Sequence, residues 1–135
     1  MAVTDASVTT SVFSEYDANH VAAREWYEGA RSRGERILAP SILLAEVAAA
    51  FSRTLNDPHR ASVVVDEIVQ RKLIELVPVV HTLALRAAEV TQSTRLKGCD
   101  AIYVALAAEL DDVLVTFDQE QLIRTAGIIR VVRPA

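Results

Sequence analysis

Apolar residues recur along this chain with two different spacings, and these spacings predict strands that alternate with helices. Residues 113–116 are almost entirely apolar, which is typical of a strand buried on both faces of a parallel sheet. Ile102, Leu106 and Leu110 repeat every four residues instead, which predicts a helix that is mostly buried. The sequence therefore favours an α/β fold.

The same two patterns alternate from one end of the chain to the other. We predict strands over residues 2–5, 36–39, 74–77, 113–116 and 128–132. We predict helices over residues 6–16, about 19–33, 41–56, 61–69, 81–95, 100–110 and 119–125, with Asp17 or Asn19 as the cap of the second. This order predicts a three-layer α/β/α sandwich with a mainly parallel five-stranded sheet, in a single domain over residues 1–135.

Composition narrows the class of protein. Hydrophobic residues make up 51% of the chain and aromatic residues only 5%, so aliphatic side chains must form the core. No apolar run approaches the roughly 20 residues needed to cross a bilayer, and the N-terminus lacks the features of a signal peptide. We therefore expect a cytoplasmic protein without a membrane partner. The single cysteine, Cys99, excludes an internal disulfide, and we expect it to be buried near Asp100.

The charge balance excludes a protein that coats nucleic acid. The chain has 14 basic and 18 acidic residues, for a formal net charge of −4. Proteins that bind nucleic acid over a broad surface are usually strongly basic. Any contact with nucleic acid must therefore be local, or helped by metal ions.

Three acidic residues stand at junctions between predicted elements. Asp5 ends the first strand, and Asp118 follows the fourth strand by two residues. Ligands of parallel sheets gather at the carboxyl ends of the strands, so both acids lie on the side where a ligand would bind. Asp100 stands at the head of the apolar helix. For all three the alternative is a helix cap, in which the carboxylate accepts hydrogen bonds from free backbone N–H groups.

Glu46 lies on the apolar side of its predicted helix. It comes three residues after Leu43 and four before Ala50, so it points in the same direction as the buried stripe. An unpaired carboxylate in the core is costly. Either Glu46 reaches water from the edge of the stripe, or it faces an opening in the core that holds a cation.

Taken together, the four carboxylates predict a site for a hard metal ion. If they converge, their mutual repulsion raises their pKa values or requires a cation. A ligand set made only of oxygen favours Mg²⁺ or Mn²⁺. The hydroxyl groups of Ser7 and Thr116 could support such ligands. The formal net charge of −4 equals the charge of these four acids alone.

Other chemistry has less support in the sequence. His20, His59 and His81 are scattered without the spacing of metal ligands or of a catalytic pair, so we expect them at the surface or at helix caps. The four glycines are too few and too widely spread for a phosphate-binding loop.

Four short motifs, taken in order, resemble the PIN domain family, and within it the VapC-type toxins of toxin–antitoxin pairs. Each motif contains one of the four acids, and together they extend over nearly the whole chain. They are Val3-Thr4-Asp5-Ala6-Ser7-Val8, Ala39-Pro40-Ser41-Ile42-Leu43-Leu44-Ala45-Glu46-Val47 followed by Arg53, Asp100-Ala101-Ile102-Tyr103-Val104-Ala105-Leu106-Ala107, and Leu114-Val115-Thr116-Phe117-Asp118. One departure is Gln119, because the family often has a basic residue directly after the fourth acid.

The resemblance implies a metal-dependent endoribonuclease, the toxin of a toxin–antitoxin pair. Water activated by Mg²⁺ or Mn²⁺ would hydrolyse RNA, of the tRNA or rRNA class, and leave 5′-phosphate and 3′-hydroxyl ends. A cognate antitoxin would block the site with a basic tail, and the toxin would form a homodimer. The implied site residues are Asp5, Glu46, Asp100 and Asp118 as metal ligands, with Thr116 and Ser7 in support. The cations we expect nearest to RNA are Arg53, Arg60, Arg95, Lys97 and Arg124.

Two other functions remain open on the same fold. The chain could be a PIN nuclease of RNA processing outside toxin–antitoxin systems, although its short length favours a toxin. It could also be a catalytically silent module that only binds an antitoxin, although the presence of all four acids argues against that.

Overall fold

Five parallel strands form the middle of the structure, in the order β3-β2-β1-β4-β5. The computed structural model describes all residues from 1 to 135. The strands are β1 (Ala2–Thr4), β2 (Ile37–Pro40), β3 (Glu75–Val77), β4 (Val113–Val115) and β5 (Val131–Val132). The helices are α1 (Ala6–Phe13), α2 (His20–Ser32), α3 (Leu43–Ala49), α4 (Pro58–Gln70), α5 (His81–Thr94), α6 (Gly98–Leu110) and α7 (Gln119–Arg124). The predicted α/β class and five-stranded parallel sheet are confirmed.

The central strand β1 is buried on both faces and pairs with β2 and β4. Val3 lies opposite Leu38 on one side and Leu114 on the other. Successive side chains of a strand point to opposite faces, and all three residues of β1 are buried, so both faces of the sheet are covered. Because the strands are parallel, the carboxyl ends of β1 and β4 lie side by side.

Helix α6 contributes more buried side chains than any other helix. It packs against α5 and against three strands, β1, β2 and β4. Small residues allow this close approach, because Ala101, Ala105 and Ala107 are almost completely inaccessible to solvent. The head of α6 is thereby fixed next to the carboxyl ends of the central strands.

Several predicted boundaries are wrong. The helix predicted over 41–56 is α3 followed by a π-helical turn, Ala50–Thr54. Within this turn the Ser52 hydroxyl donates to the carbonyl oxygen of Ala48, which competes with the regular backbone ladder. The helix predicted over 6–16 ends at Phe13, and the last strand contains only Val131 and Val132.

One prediction about burial is also wrong. Cys99 is exposed rather than buried, because it lies in the first turn of α6 on the side away from the core. Leu55, which follows the π-helical turn, is exposed as well. None of the helices is both long and apolar enough to cross a membrane.

Candidate active site

Asp5 lies where β1 meets α1 and is the most buried of the four candidate acids. Its side chain caps α1, because its Oδ1 accepts a hydrogen bond from the backbone N–H of Val8 over 3.1 Å. Burial raises the pKa of Asp5, and hydrogen bonds from Ser7, Thr116 and Val8 oppose that rise. The capping interpretation is therefore correct for Asp5, yet it leaves a carboxylate buried at the carboxyl edge of the sheet.

Two hydroxyl groups join Asp5 to the end of β4. Ser7 Oγ donates to Asp5 Oδ1 over 2.6 Å, and Thr116 Oγ1 donates to Asp5 Oδ2 over 2.5 Å. The same hydroxyls accept hydrogen bonds from the backbone of the next segment, from Phe117 N to Ser7 and from Asp118 N to Thr116. Each hydroxyl therefore fixes both the Asp5 carboxylate and the loop that carries Asp118.

Asp118 caps α7 with one of its two carboxylate oxygens. Oδ1 accepts a hydrogen bond from the backbone N–H of Gln121 over 3.1 Å. The other oxygen, Oδ2, accepts no hydrogen bond from the protein. Capping therefore leaves one oxygen of Asp118 free for a ligand.

Asp100 does not cap its helix, so this alternative is wrong. The cap of α6 is Lys97, and the Asp100 carboxylate lies in the first turn without a hydrogen bond from the protein. Burial, together with the charges of Asp118, Glu46 and Asp5, raises the pKa of Asp100 to about 6, while Lys97 opposes this rise. All three other candidate acids therefore lie close enough to Asp100 to repel its charge.

Glu46 enters the site from α3 and is held by a buried tyrosine. The hydroxyl of Tyr103 donates to Glu46 Oε1 over 2.5 Å. Burial raises the pKa of Tyr103, and the hydrogen bond to Glu46 raises it further, so the tyrosine stays a donor. Tyr103 has no predicted role in the sequence, although its position three residues after Asp100 places it on the same side of α6.

Gln121 is a second side chain of the site that the sequence did not reveal. Its Nε2 donates to Asp5 Oδ2 over 3.1 Å, and the residue is only 1% exposed. Its position three residues after Asp118 puts it on the inner side of α7. In the sequence it looks like one polar residue among several, so only the tertiary contact identifies it.

The donor atoms of this site suit a hard divalent cation. Every acid supplies carboxylate oxygen, and none of the four takes part in any of the five ion pairs of the protein. No three acidic, histidine or cysteine side chains lie close enough to form a ready-made metal site. Binding of a cation would therefore have to draw the carboxylates together.

Of the five basic residues expected near RNA, the structure brings one to the acids. Lys97 lies at the head of α6, close enough to lower the pKa of Asp100. Arg60 and Arg124 donate instead to backbone carbonyl groups, of Phe13 and Thr94 respectively. Arg53 and Arg95 are exposed, and their side chains donate no hydrogen bond to another residue of the protein.

A groove of about 730 Å³ lies on another part of the surface. It lies between the end of α1, α2, the π-helical turn and α4, and none of the four candidate acids lines it. The acids of this groove are Glu15, Asp57 and Glu67. The four candidate acids therefore lie outside this groove.

The family model of the PIN domain matches residues 2–128, and so covers all four acids. The chain belongs to the PIN domain family. A search of the curated proteins by sequence finds no relative of this PIN domain.

Solved structures similar to this PIN domain include several toxins. VapC20 of Mycobacterium tuberculosis, a toxin that cleaves the sarcin–ricin loop, is 19% identical with a TM-score of 0.77, and the match covers 94% of this chain and 95% of that one. A toxin–antitoxin complex of Klebsiella pneumoniae is 20% identical with a TM-score of 0.71, covering 100% and 98%. DNA-bound VapBC of Salmonella typhimurium is 18% identical with a TM-score of 0.73, covering 99% and 98%. At these identities the likeness establishes the fold.

Proposed function

We propose that this PIN domain is the toxin of a toxin–antitoxin pair and hydrolyses phosphodiester bonds of RNA with the help of Mg²⁺ or Mn²⁺. The proposed metal ligands are Asp5, Glu46, Asp100 and Asp118, supported by Thr116 and Ser7. One observation carries this proposal. Asp100 is a half-buried carboxylate without a hydrogen bond, and it is surrounded by three further acids that no ion pair neutralises.

A bound cation would relieve the repulsion between these four acids. A carboxylate whose pKa lies near 6 is destabilised by its surroundings in the charged form. Clusters of titratable groups with such shifts concentrate at functional sites. A structural role would not require four neighbouring acids that all lack an ion-pair partner.

The chain's own groups prepare the site for chemistry on a phosphodiester. When bound, a divalent ion supplies an activated water and neutralises the charge of the phosphate. Ser7 and Thr116 hold the Asp5 carboxylate in one orientation. Tyr103 does the same for Glu46. Lys97 is the cation best placed to contact the phosphate backbone of RNA.

The toxin role rests on the fold and on the similar structures. Two of the three are complexes, one of a toxin with its antitoxin and one of VapBC with DNA. We propose a cognate antitoxin as the partner, and RNA of the tRNA or rRNA class as the substrate. We also propose that the chain forms a homodimer and acts in the cytoplasm.

Cleavage of RNA by the purified protein tests the catalytic part of this proposal. We expect total RNA to be cut with Mg²⁺ or Mn²⁺, and the activity to disappear with EDTA. Asp118→Asn keeps an oxygen for the α7 cap and removes a charge from the site, so its rate should fall by about 100-fold or more. The matched control is Asp66→Asn on the exposed side of α4, which should keep full activity. Cleavage that survives both EDTA and Asp118→Asn would contradict the metal-dependent mechanism.

The antitoxin is tested separately in cells. Expression of the wild-type chain should arrest growth, and co-expression of the small protein encoded beside it should restore growth. Arrest by wild type but not by Asp118→Asn would connect toxicity to the site. Absence of arrest together with RNA cleavage in vitro would favour a nuclease of RNA processing instead.

A further inference from the structure

Gln121 is completely buried beside Asp5, although its amide group is strongly polar. Nε2 donates to Asp5 Oδ2 over 3.1 Å, whereas Oε1 is buried and has no hydrogen-bond partner. A buried acceptor without a partner destabilises the folded state. An apolar side chain at this position would avoid that cost, so the amide requires an explanation beyond packing.

Both oxygens of the Asp5 carboxylate are fully engaged in hydrogen bonds. Oδ1 accepts from Ser7 Oγ and Val8 N, and Oδ2 accepts from Thr116 Oγ1 and Gln121 Nε2. A carboxylate offers about four lone-pair sites in all. Asp5 therefore has no site left for a cation until one of its four donors moves away.

Three of the four donors are difficult to move. Val8 N belongs to the backbone of the first turn of α1. The hydroxyls of Ser7 and Thr116 are also acceptors for Phe117 N and Asp118 N, so moving either would break two hydrogen bonds. The side-chain amide of Gln121 makes only the one bond to Asp5, and moving it would also allow Oε1 to find a partner.

We propose that Gln121 is a positioning residue that occupies Asp5 Oδ2 in the metal-free protein and withdraws when a divalent cation binds. The amide thereby competes with the cation and lowers its affinity for the site. This inference rests on the proposed function to the extent that Asp5 belongs to the metal site.

Substitution of Gln121 by methionine removes the amide group but keeps the volume of the side chain. Gln121→Met has a similar length and fills the same space without a donor, and Gln119→Met is the same change at an exposed position of α7. Mn²⁺ binding to the full chain, without RNA, is measured by isothermal titration calorimetry. Removal of a hydrogen bond to a charged group should tighten Mn²⁺ binding about tenfold in Gln121→Met. Gln119→Met should bind Mn²⁺ as the wild type does.

Nuclear magnetic resonance detects the withdrawal of the Gln121 amide from Asp5 in the wild-type protein, without any substitution. We expect the side-chain NH₂ signals of Gln121 to shift when Mg²⁺ is added, while those of Gln119 remain in place. The measurement keeps the inference testable even if Gln121→Met fails to fold.

The outcomes distinguish this inference from the proposed function. If the wild type and Gln121→Met bind Mn²⁺ equally well, or Gln121→Met binds it less tightly, the inference is wrong and the metal site stands. Gln121 NH₂ signals that stay fixed while Mg²⁺ binds would overturn it in the same way. If none of the three proteins binds Mn²⁺, both the inference and the metal-dependent function are wrong.

Discussion

Two buried threonine side chains differ in what their hydroxyl groups contact. Thr116 Oγ1 donates to Asp5 and accepts from Asp118 N, so it connects two acids of the site. Thr4 Oγ1 is equally buried in β1 but has no hydrogen-bond partner. At the scale of single residues, therefore, the Thr116 hydroxyl is engaged by two acids of the site, whereas the Thr4 hydroxyl has no partner.

Replacement of each threonine by valine separates these two situations, because shape and volume change little. Thr116→Val leaves Asp5 with one donor fewer and Asp118 N without its acceptor, and should destabilise the fold by about 1–3 kcal/mol. Thr4→Val removes an unpaired hydroxyl and should stabilise the fold by about 1 kcal/mol. Urea unfolding of both variants measures these changes. Equal effects of the two substitutions would show that the hydroxyl network does not hold the site.

The raised pKa of Asp100 makes the stability of the metal-free protein depend on pH. Because this pKa is about 6 in the folded protein and near 3.9 when unfolded, the folded state binds the proton more tightly. The contribution of Asp100 to stability is therefore fully present below pH 4 and is lost as the pH rises through 6.

Asp100→Asn tests directly whether the charged form of Asp100 destabilises the folded protein, because asparagine resembles the protonated acid at every pH. In EDTA at pH 7.5 the variant should melt roughly 2–5 °C above the wild type. The difference in melting temperature between the variant and the wild type should narrow as the pH falls to 4.5. Asp66→Asn is the control for the removal of one distant acid. A variant less stable than the wild type at pH 7.5 would mean that Asp100 is stabilised by its surroundings rather than repelled.

At the scale of elements, two helices end with the same backbone conformation but with different residues. Gly34 follows α2 with φ of 70°, and Lys72 follows α4 with φ of 50°. The left-handed region strains every side chain with a Cβ atom and suits glycine. An added Cβ at Gly34 would meet no atom within 4 Å, so conformational strain alone distinguishes the two positions.

A reciprocal exchange measures that strain. Lys72→Gly should stabilise the protein by about 0.5–1 kcal/mol, and Gly34→Lys should destabilise it by about 1 kcal/mol. Thermal unfolding of both variants gives the two values. Changes of the same sign in both would show that side-chain contacts, rather than the backbone, decide the stability of these helix ends.

The elements were largely predictable, because hydrophobic periodicity determines which segments are buried. The helices α3 and α6 and the apolar strand β4 lie where the sequence indicates, although in the predicted α6 stripe Leu106 is buried and Ile102 and Leu110 are only half-buried. The π-helical turn was not predictable, since the Ser52 hydroxyl bond to Ala48 is only one of several possible for a serine in a helix. The short last strand depends on its pairing with β4, which is a tertiary contact.

At the scale of the whole molecule, the site depends on contacts between distant segments. The order of four acidic motifs was sufficient to expect Asp5, Glu46, Asp100 and Asp118 near one another, and their charges do influence Asp100. Tyr103 and Gln121 could not be found in this way, because a buried tyrosine or glutamine has no sequence signal of its own. Their roles arise only after α6 and α7 are packed against the sheet.

We propose that four acids from separate segments form one cation site, and paramagnetic broadening by Mn²⁺ is the direct test of this site. Substoichiometric Mn²⁺ is added to the ¹⁵N-labelled protein, and the loss of each backbone amide signal is followed. We predict that the amides of Ser7, Ala101 and Phe117 disappear first, because they lie within two residues of Asp5, Asp100 and Asp118 respectively. Early loss at the acids of the other groove, such as Asp57 and Glu67, with Ser7, Ala101 and Phe117 unaffected, would contradict the claim.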